Sequence, residues 1–212
     1  TNLAAGLFAF VRTVEEYDDS GVYTPFYYRL VKIISVNAGT GVIIFKDPIP
    51  RAMTNVLISP VVATDAFLGY GTEIIEDIEI GHMKVSGRNF VYRGGVYNGY
   101  IHDILCEDIV NVMAINAMVN CKIERISGSY SARAIELKTG SSGGVCRDID
   151  LKYVPDGAVT ESPFSLSEQV NGLTFERVKV SAGADFDAGA CLASVSGLDH
   201  QFRDCEFVSN SP

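Results

Sequence analysis

The sequence contains no tryptophan, only three histidines, and 17 basic side chains against 26 acidic ones. That shortage of positive charge leaves a formal net charge of -9, which repels a phosphate backbone and lacks the basic footprint of nucleic-acid binders. Nucleic acid is therefore not an expected partner. Long hydrophobic runs are also missing. The greasiest stretch, Asn55 to Tyr70, is interrupted by Pro60, Asp65 and Gly69, well short of the roughly 20 unbroken apolar residues of a membrane span, so membrane insertion is not expected. The five cysteines, at 106, 121, 146, 191 and 205, show no CxxC spacing and no neighbouring histidine pair, which argues against a zinc site built on them. The chain opens on Thr1 with no basic region followed by an apolar stretch and a cleavage site, so targeting is not legible and a fragment is expected.

What is present is apolar material and a repeat. Hydrophobic residues make up 47% of the 212 positions and charged ones 20%, enough for a substantial core. With φ for an apolar residue, the pattern φ-x-x-φ-x-φ-x-x-φ occurs at Ile75, Ile78, Ile80, Met83 and at Ile101, Ile104, Cys106, Ile109. It recurs at Met118, Cys121, Ile123, Ile126; at Cys146, Ile149, Leu151, Val154; and at Val170, Leu173, Phe175, Val178. An incomplete copy is Phe202, Cys205, Phe207. Just ahead of the central φ-x-φ stands Asp77, Asp103, Asn120, Asp148, Gly172 or Asp204. Asp and Asn bond their own downstream amides and Gly tolerates unusual dihedrals, so this position marks a corner before a short strand.

The alternation is period 2, and no 3.6 period is sustained. Copies start 26, 17, 28, 24 and 32 residues apart, an irregularity that helical repeats do not tolerate and that a parallel β-helix absorbs in its turns. Coils of about 24 residues, stacked ~4.8 Å apart, pair strand with strand and align like side chains inside. Six such coils would stand roughly 25 to 30 Å tall. Four of the cysteines, at 106, 121, 146 and 205, fall on inward positions, where a free thiol acts as a small hydrophobe.

The beginning of the chain reads differently. Leu7 to Thr13, Phe26 to Asn37 and Thr40 to Lys46 are rich in Val, Ile, Phe and Tyr, and Asn37-Ala-Gly-Thr-Gly41 suits a hairpin connector. Asp47-Pro-Ile-Pro50 ends the last strand, because proline cannot donate to a ladder. The expected organisation is an antiparallel β unit over residues 1–56, packed on a parallel β-helix of about six coils over residues 57–212. The fold class is thus all-β, a right-handed single-stranded parallel β-helix with a small antiparallel N-terminal unit.

The segments Phe8-Ala-Phe-Val-Arg12, Tyr27-Tyr-Arg-Leu-Val-Lys-Ile33, Gly41-Val-Ile-Ile-Phe-Lys-Asp-Pro-Ile-Pro50 and Ile74-Ile-Glu-Asp-Ile-Glu-Ile80 resemble right-handed β-helix proteins of the pectate-lyase-like superfamily, bacteriophage tailspikes in particular. The resemblance covers nearly the whole chain, and its motifs are architectural. It implies a homotrimer on the phage tail, assembled in the host cytoplasm, that binds a bacterial surface polysaccharide and depolymerises it by glycosidic-bond cleavage. Complete tailspikes are longer, so the resemblance also implies that the chain is an excerpt. No short signature carries family catalytic residues over, and fold alone does not fix activity.

Candidate chemistry comes from outward positions. Glu107 and Glu124 are expected one coil apart, with Asp108 diagonal to Glu124; carboxylates ~5 Å apart suit a retaining glycosidase and wider pairs an inverting one. The alternative is that Asp108 stacks on Arg125 as an exposed ion pair. For substrate binding the candidates are His82, Tyr97, Tyr100, His102, Arg125 and Glu136. Tyr97 and Tyr100 lie in a Gly-rich stretch read as a loop, where rings stack on sugars, and His102 could carry a proton near neutral pH. Glu136 and Arg133 are expected on an outer sheet face. Gly140-Ser-Ser-Gly-Gly144 is read as a flexible turn, since no lysine or helix follows it. Neither a metal ligand set nor a cofactor is expected; the Asp column is explained by local capping. Two other functions stay open: a non-catalytic stalk or carbohydrate-binding module, and a secreted polysaccharide lyase needing a base and calcium.

Overall fold

The computed structural model describes residues 3–13, 28–47, 49, 56–60, 74–92, 94–138, 140–155, 162–166, 170–182, 192–195 and 197–209. The first four strands are β1 (Phe8–Thr13), β2 (Tyr28–Asn37), β3 (Val42–Phe45) and β4 (Val56–Pro60). They form an antiparallel sheet in the order β3-β2-β1-β4. The hairpin between β2 and β3 turns where expected, with Asn37 Oδ1 accepting from the amides of Gly39 and Thr40 at 3.0 and 3.1 Å. The fourth strand was not foreseen: Val56–Pro60 pairs with β1, Val11 facing Ile58, so this stretch completes the N-terminal sheet. Pro60 is tolerated at its last position because a strand end needs no further donor.

The rest is a parallel solenoid of about five turns. Its first coil holds β5 (Ile74–Glu76), β6 (Glu79–Ser86) and β7 (Asn89–Tyr92); the second holds β8 (Gly95–Tyr97) and the long β9 (Tyr100–Asn116). The third holds β10 (Met118–Val119) and β11 (Lys122–Lys138), the fourth β12 (Val145–Tyr153) and β13 (Phe164–Leu166). Above these lie β14 (Thr174–Ala182) and β15 (Ala193–Val195), then β16 (Gln201–Arg203) and β17 (Glu206–Ser209). Successive strands pair in parallel, as β6 with β9, β9 with β11, β11 with β12 and β12 with β14.

Register fixes the true repeat. Ile80, Ile101, Ile123, Cys146, Phe175 and Phe202 face one another in turn, giving coils of 21, 22, 23, 29 and 27 residues. These differ from the spacings of the sequence motif, for a geometrical reason. Each φ-x-x-φ unit except Leu151-Lys152-Tyr153-Val154 is a corner whose second x adopts a left-handed conformation, which puts two consecutive side chains outward before the alternation resumes. The motif spans two such corners, and a coil has more than two, so neighbouring copies start at different corners. All six corner residues singled out in the sequence do have positive φ, between 50 and 61°. They belong, however, to two columns: Asp77, Asn120 and Gly172 at one corner, Asp103, Asp148 and Asp204 at the next. Ile104, Ile126, Ile149 and Val178 accordingly form one internal stack, while Ile78, Cys121 and Leu173 join the same core through the neighbouring corner.

The core is continuous through the coils, with Ile123, Ile126, Ile135, Leu151, Phe164, Phe175 and Val180 at zero exposure. Full burial of each such side chain contributes about 1.5–3 kcal/mol. Cys106, Cys121 and Cys146 are buried free thiols and Cys205 is half-buried; Cys191 lies outside the described residues. Burial pushes the Cys106 and Cys121 thiols up to about 11, so they remain protonated hydrophobes.

The N-terminal sheet packs on the solenoid face formed by β5, β8 and β10. Phe10 and Leu30 bury themselves against Tyr97, Ala117 and Val119, and the Phe8 and Tyr97 rings meet edge to face at 5.2 Å. Alternation sends Ala9, Val11, Val31 and Ile33 to the opposite face, beneath Leu3, Ile49 and Phe45. Lys32 reaches Glu76 across the junction.

Candidate functional site

Two outward columns run up the face built by β6, β9, β11, β12, β14 and β16. The first is Gly81, His102, Glu124, Arg147, Glu176, Arg203. The second, one residue later at the left-handed corner, is His82, Asp103, Arg125, Asp148, Arg177, Asp204, with φ between 52 and 54° throughout. Left-handed backbone suits Asp and His but is costly for Arg. The arginines are held there by carboxylates on the coil below. Arg125 grips Asp103 through Nε and Nη2 at 2.7 and 2.9 Å, and Arg177 grips Asp148 at 2.6 and 3.0 Å.

In the lower coils this lattice becomes a polar cluster. His102 lies stacked on Tyr100 with ring centroids 4.0 Å apart and planes 20° from parallel. Beneath it, Gly81 leaves the room the ring occupies: a Cβ there would stand 2.4 Å from His102 Cε1. His102 Nδ1 meets Asp103 Oδ2 at 2.6 Å, and Nε2 meets Glu79 Oε1 at 3.1 Å. Both partners are carboxylates, which only accept when ionised, so the arrangement favours the doubly protonated ring. The hydrogen bond to Asp103, followed by that to Glu79, accordingly raises the His102 pKa against the opposing effect of burial. Asp103 is driven well below the carboxylate range, first by Arg125 and then by His102.

Glu124 is the buried hub, its side chain 1% exposed. Burial opposes its charge, but hydrogen bonds from Tyr100, Lys122, Arg147 and Arg125 outweigh it and hold the carboxyl far below its ordinary value. The Tyr100 hydroxyl donates to Oε1 at 2.6 Å, and Lys122 Nζ lies 3.0 Å from Oε2. Arg125 and Arg147 donate as well. Beside the cluster opens a groove of about 420 Å³ lined by His82, Met83, Lys84, Asp103, Ile104, Leu105, Arg125 and Ser127.

The residues singled out in the sequence divide accordingly. His82, Tyr100, His102, Glu124 and Arg125 come together. Glu107 does not join them: it faces Ser86 in register and pairs with Lys84 at 2.6 Å, whereas Glu124 faces His102 and Arg147. The expected pairing of Glu107 with Glu124 therefore does not occur, because the two belong to different corners. Asp108 does not stack on Arg125 either; it accepts from Ser129 Oγ at 3.0 Å and occupies a third corner, with φ 52°.

Tyr97 and Tyr100 lie in strands rather than a loop, since Gly94 and Asn98 at positive φ form the corners around the short β8. Tyr97 is fully buried under the N-terminal sheet and donates to Asp47; burial first, and then that hydrogen bond, raises its pKa. Glu136 is held on its own face by Arg133 and Lys138 at 3.0 and 2.9 Å. The stretch Gly140–Gly144 is no flexible turn: Ser142 is buried and bridges Val119 to Asn171 as a rung of the solenoid. Asp103, Glu79, Lys122 and Arg147 were missed as members of the cluster. For Asp103 and Arg147 the signal is the run of paired polar residues His-Asp, Glu-Arg, Arg-Asp, Glu-Arg and Arg-Asp at 102, 124, 147, 176 and 203, visible once the corners are phased correctly. No protein-family model matches the chain, and no curated protein is significantly similar to it.

Proposed function

We propose that the chain is part of a β-helical receptor-binding protein of the phage-tailspike kind, and that it binds a bacterial surface polysaccharide along the groove at His82 and Arg125. The observation that carries this reading is the groove's composition. Met83 and Leu105 are 38% and 43% exposed and offer apolar contact of the kind sugar C–H faces seek, while His82, Lys84, Asp103, Arg125 and Ser127 supply donors and acceptors for hydroxyls. A few converging polar groups beside an apolar floor are what small polar ligands need. The trimer and the location on the virion come with the resemblance.

Binding is better supported than hydrolysis within this chain. A glycosidase acid must hold a proton near neutral pH, and Glu124 is ion-paired to Lys122, Arg125 and Arg147. The discriminating experiment is a glycan array followed by incubation with each retained polysaccharide. Retention that weakens at least tenfold in Leu105→Asp, without any fall in polymer size, is the expected outcome. An array with no retained glycan would overturn the reading, and a falling polymer size would return the assignment to hydrolysis.

A further inference from the structure

We propose that His82, His102 and Asp103 form a binding site for a zinc-like divalent transition-metal cation at the edge of the groove, a site that does not depend on the glycan reading. One ligand atom from each of the three residues lies within 4.8 Å of the others. His102 Nδ1 and Asp103 Oδ2 are 2.6 Å apart, His82 Nδ1 is 3.7 Å from the same Oδ2, and the two imidazole rings meet edge to face at 4.9 Å. Donors around a tetrahedral zinc sit about 3.4 Å from one another, given bonds near 2.0–2.1 Å. The His82–Asp103 spacing is therefore close to the required one and is met by rotation of His82, while the hydrogen-bonded His102–Asp103 pair must open by roughly 0.7 Å to admit the cation.

That side chain is free to rotate. His82 is 79% exposed, whereas the other two ligands are already oriented by their neighbours. Tyr100 stacks on His102 and Gly81 makes space for its ring. Glu79 holds the far nitrogen, Nε2, at 3.1 Å, which reproduces the carboxylate–histidine pairing that orients imidazoles toward metals. Arg125 fixes Asp103 through both carboxylate oxygens, and Oδ2 keeps a lone pair for the cation. On binding, the hydrogen between His102 Nδ1 and Asp103 Oδ2 leaves to solvent and the cation takes its place.

Two imidazoles and one carboxylate select a borderline-soft cation over calcium or magnesium, which prefer oxygen alone. Three protein ligands facing an open groove leave a fourth position for water or a ligand oxygen. The ladder accounts for this placement: His82 occupies the place that Arg125 and Arg177 hold higher up the same column, so Asp103 meets a metal-ligating group below and a fixed cation above.

The test is calorimetric titration of the full chain with zinc chloride, repeated with cobalt(II) chloride and read in the visible. The expected result is one zinc per chain and cobalt absorption bands of low-symmetry coordination. Both should weaken at least tenfold in His82→Asn, an exposed position where Asn also suits the left-handed backbone, and also in Asp103→Asn. Zinc binding of equal strength in wild type and His82→Asn would overturn the site, as would the absence of binding by the wild type. Calcium chloride binding as tightly as zinc would overturn the assignment of cation class.

Discussion

The lower and upper coils carry the same two columns of outward residues on the same backbone, yet they do different things with them. In the upper coils Arg147, Asp148, Glu176, Arg177, Arg203 and Asp204 form a checkerboard in which each charge has opposite neighbours along the strand and across coils. Arg203 reaches Glu176 at 2.9 Å while Arg177 reaches Asp148, and all of these groups sit partly in water. In the lower coils the corresponding places hold Gly81, His82, His102 and Asp103, and Glu124 is buried where Glu176 is open. The exchange of arginine for histidine and the insertion of Tyr100 turn a register lock into the candidate site. Cross-coil charge pairs set which residue faces which; histidines in the same places can also bind and release a ligand.

This contrast predicts very unequal costs for equivalent substitutions. Glu124→Gln strips charge-assisted hydrogen bonds from Tyr100, Lys122, Arg125 and Arg147 at once. Hydrogen bonds to charged groups contribute about 1.5–3 kcal/mol each when buried, and the three cations regain water on release, so a net loss of about 2–3 kcal/mol is expected. Glu176→Gln at the same place two coils higher loses the contact with Arg203 and should cost less than about 1 kcal/mol. Urea midpoints of the two variants, at unchanged slope, check this ratio. Equal costs would mean that the hub is no hub.

Acid should find the lower coils first. The folded-state pKa of Glu124 lies below its ordinary value near 4.5, so its contribution is fully present above that value and declines as pH falls below it. The groups around it are Tyr100 and His102 from β9, Lys122 and Arg125 from β11, and Arg147 and Asp148 from β12. Of these, Asp148 is the like charge: Arg177 first holds the Asp148 pKa down, and Glu124 opposes that shift. The urea midpoint of the wild type should therefore drop between about pH 5 and pH 3, and more shallowly in Glu124→Gln. Parallel decline in both would assign the acid sensitivity to the ladder's other carboxylates.

The solenoid was legible in the sequence because its inward positions obey steric rules: φ-x-φ strands, and corners occupied by Asp, Asn or Gly where left-handed backbone is cheap. The phase of the repeat was not legible. Successive corners share one pattern, so Asp77 and Asp103 look equivalent in sequence although only the second stacks with Asp148. That ambiguity pairs Glu107 with Glu124 in the sequence and hides the Arg-Asp alternation. His82, His102 and Arg125 were found because their side chains are chemically distinctive. Glu79 and Lys122 were not, because their roles depend on cross-coil neighbours that phasing alone reveals. Tyr97 was misplaced for another reason: nothing local distinguishes a tyrosine under the N-terminal sheet from one facing solvent.

The smallest expected effect is the one that separates a lattice from a set of isolated pairs. Asp148→Arg places a cation between Arg125 and Arg177 in its column and beside Arg147 in its row. Arg177→Asp does the same with negative charge, against Asp148, Asp204 and Glu176. Each change alone should lower Tm. The double exchange restores the pair at 148 and 177, so a pairwise interaction would recover wild-type stability. In a checkerboard it cannot, because the exchanged Arg still meets Arg125 and Arg147 and the exchanged Asp still meets Asp204 and Glu176. Recovery of only part of the lost Tm is therefore expected, measured as the coupling in a double-mutant cycle. Since the groups are half-exposed, the shortfall should shrink as salt is raised. Full recovery at low salt would reduce the upper ladder to independent surface pairs and leave the steric stacking of Ile104, Ile126, Ile149 and Val178 to set the register alone.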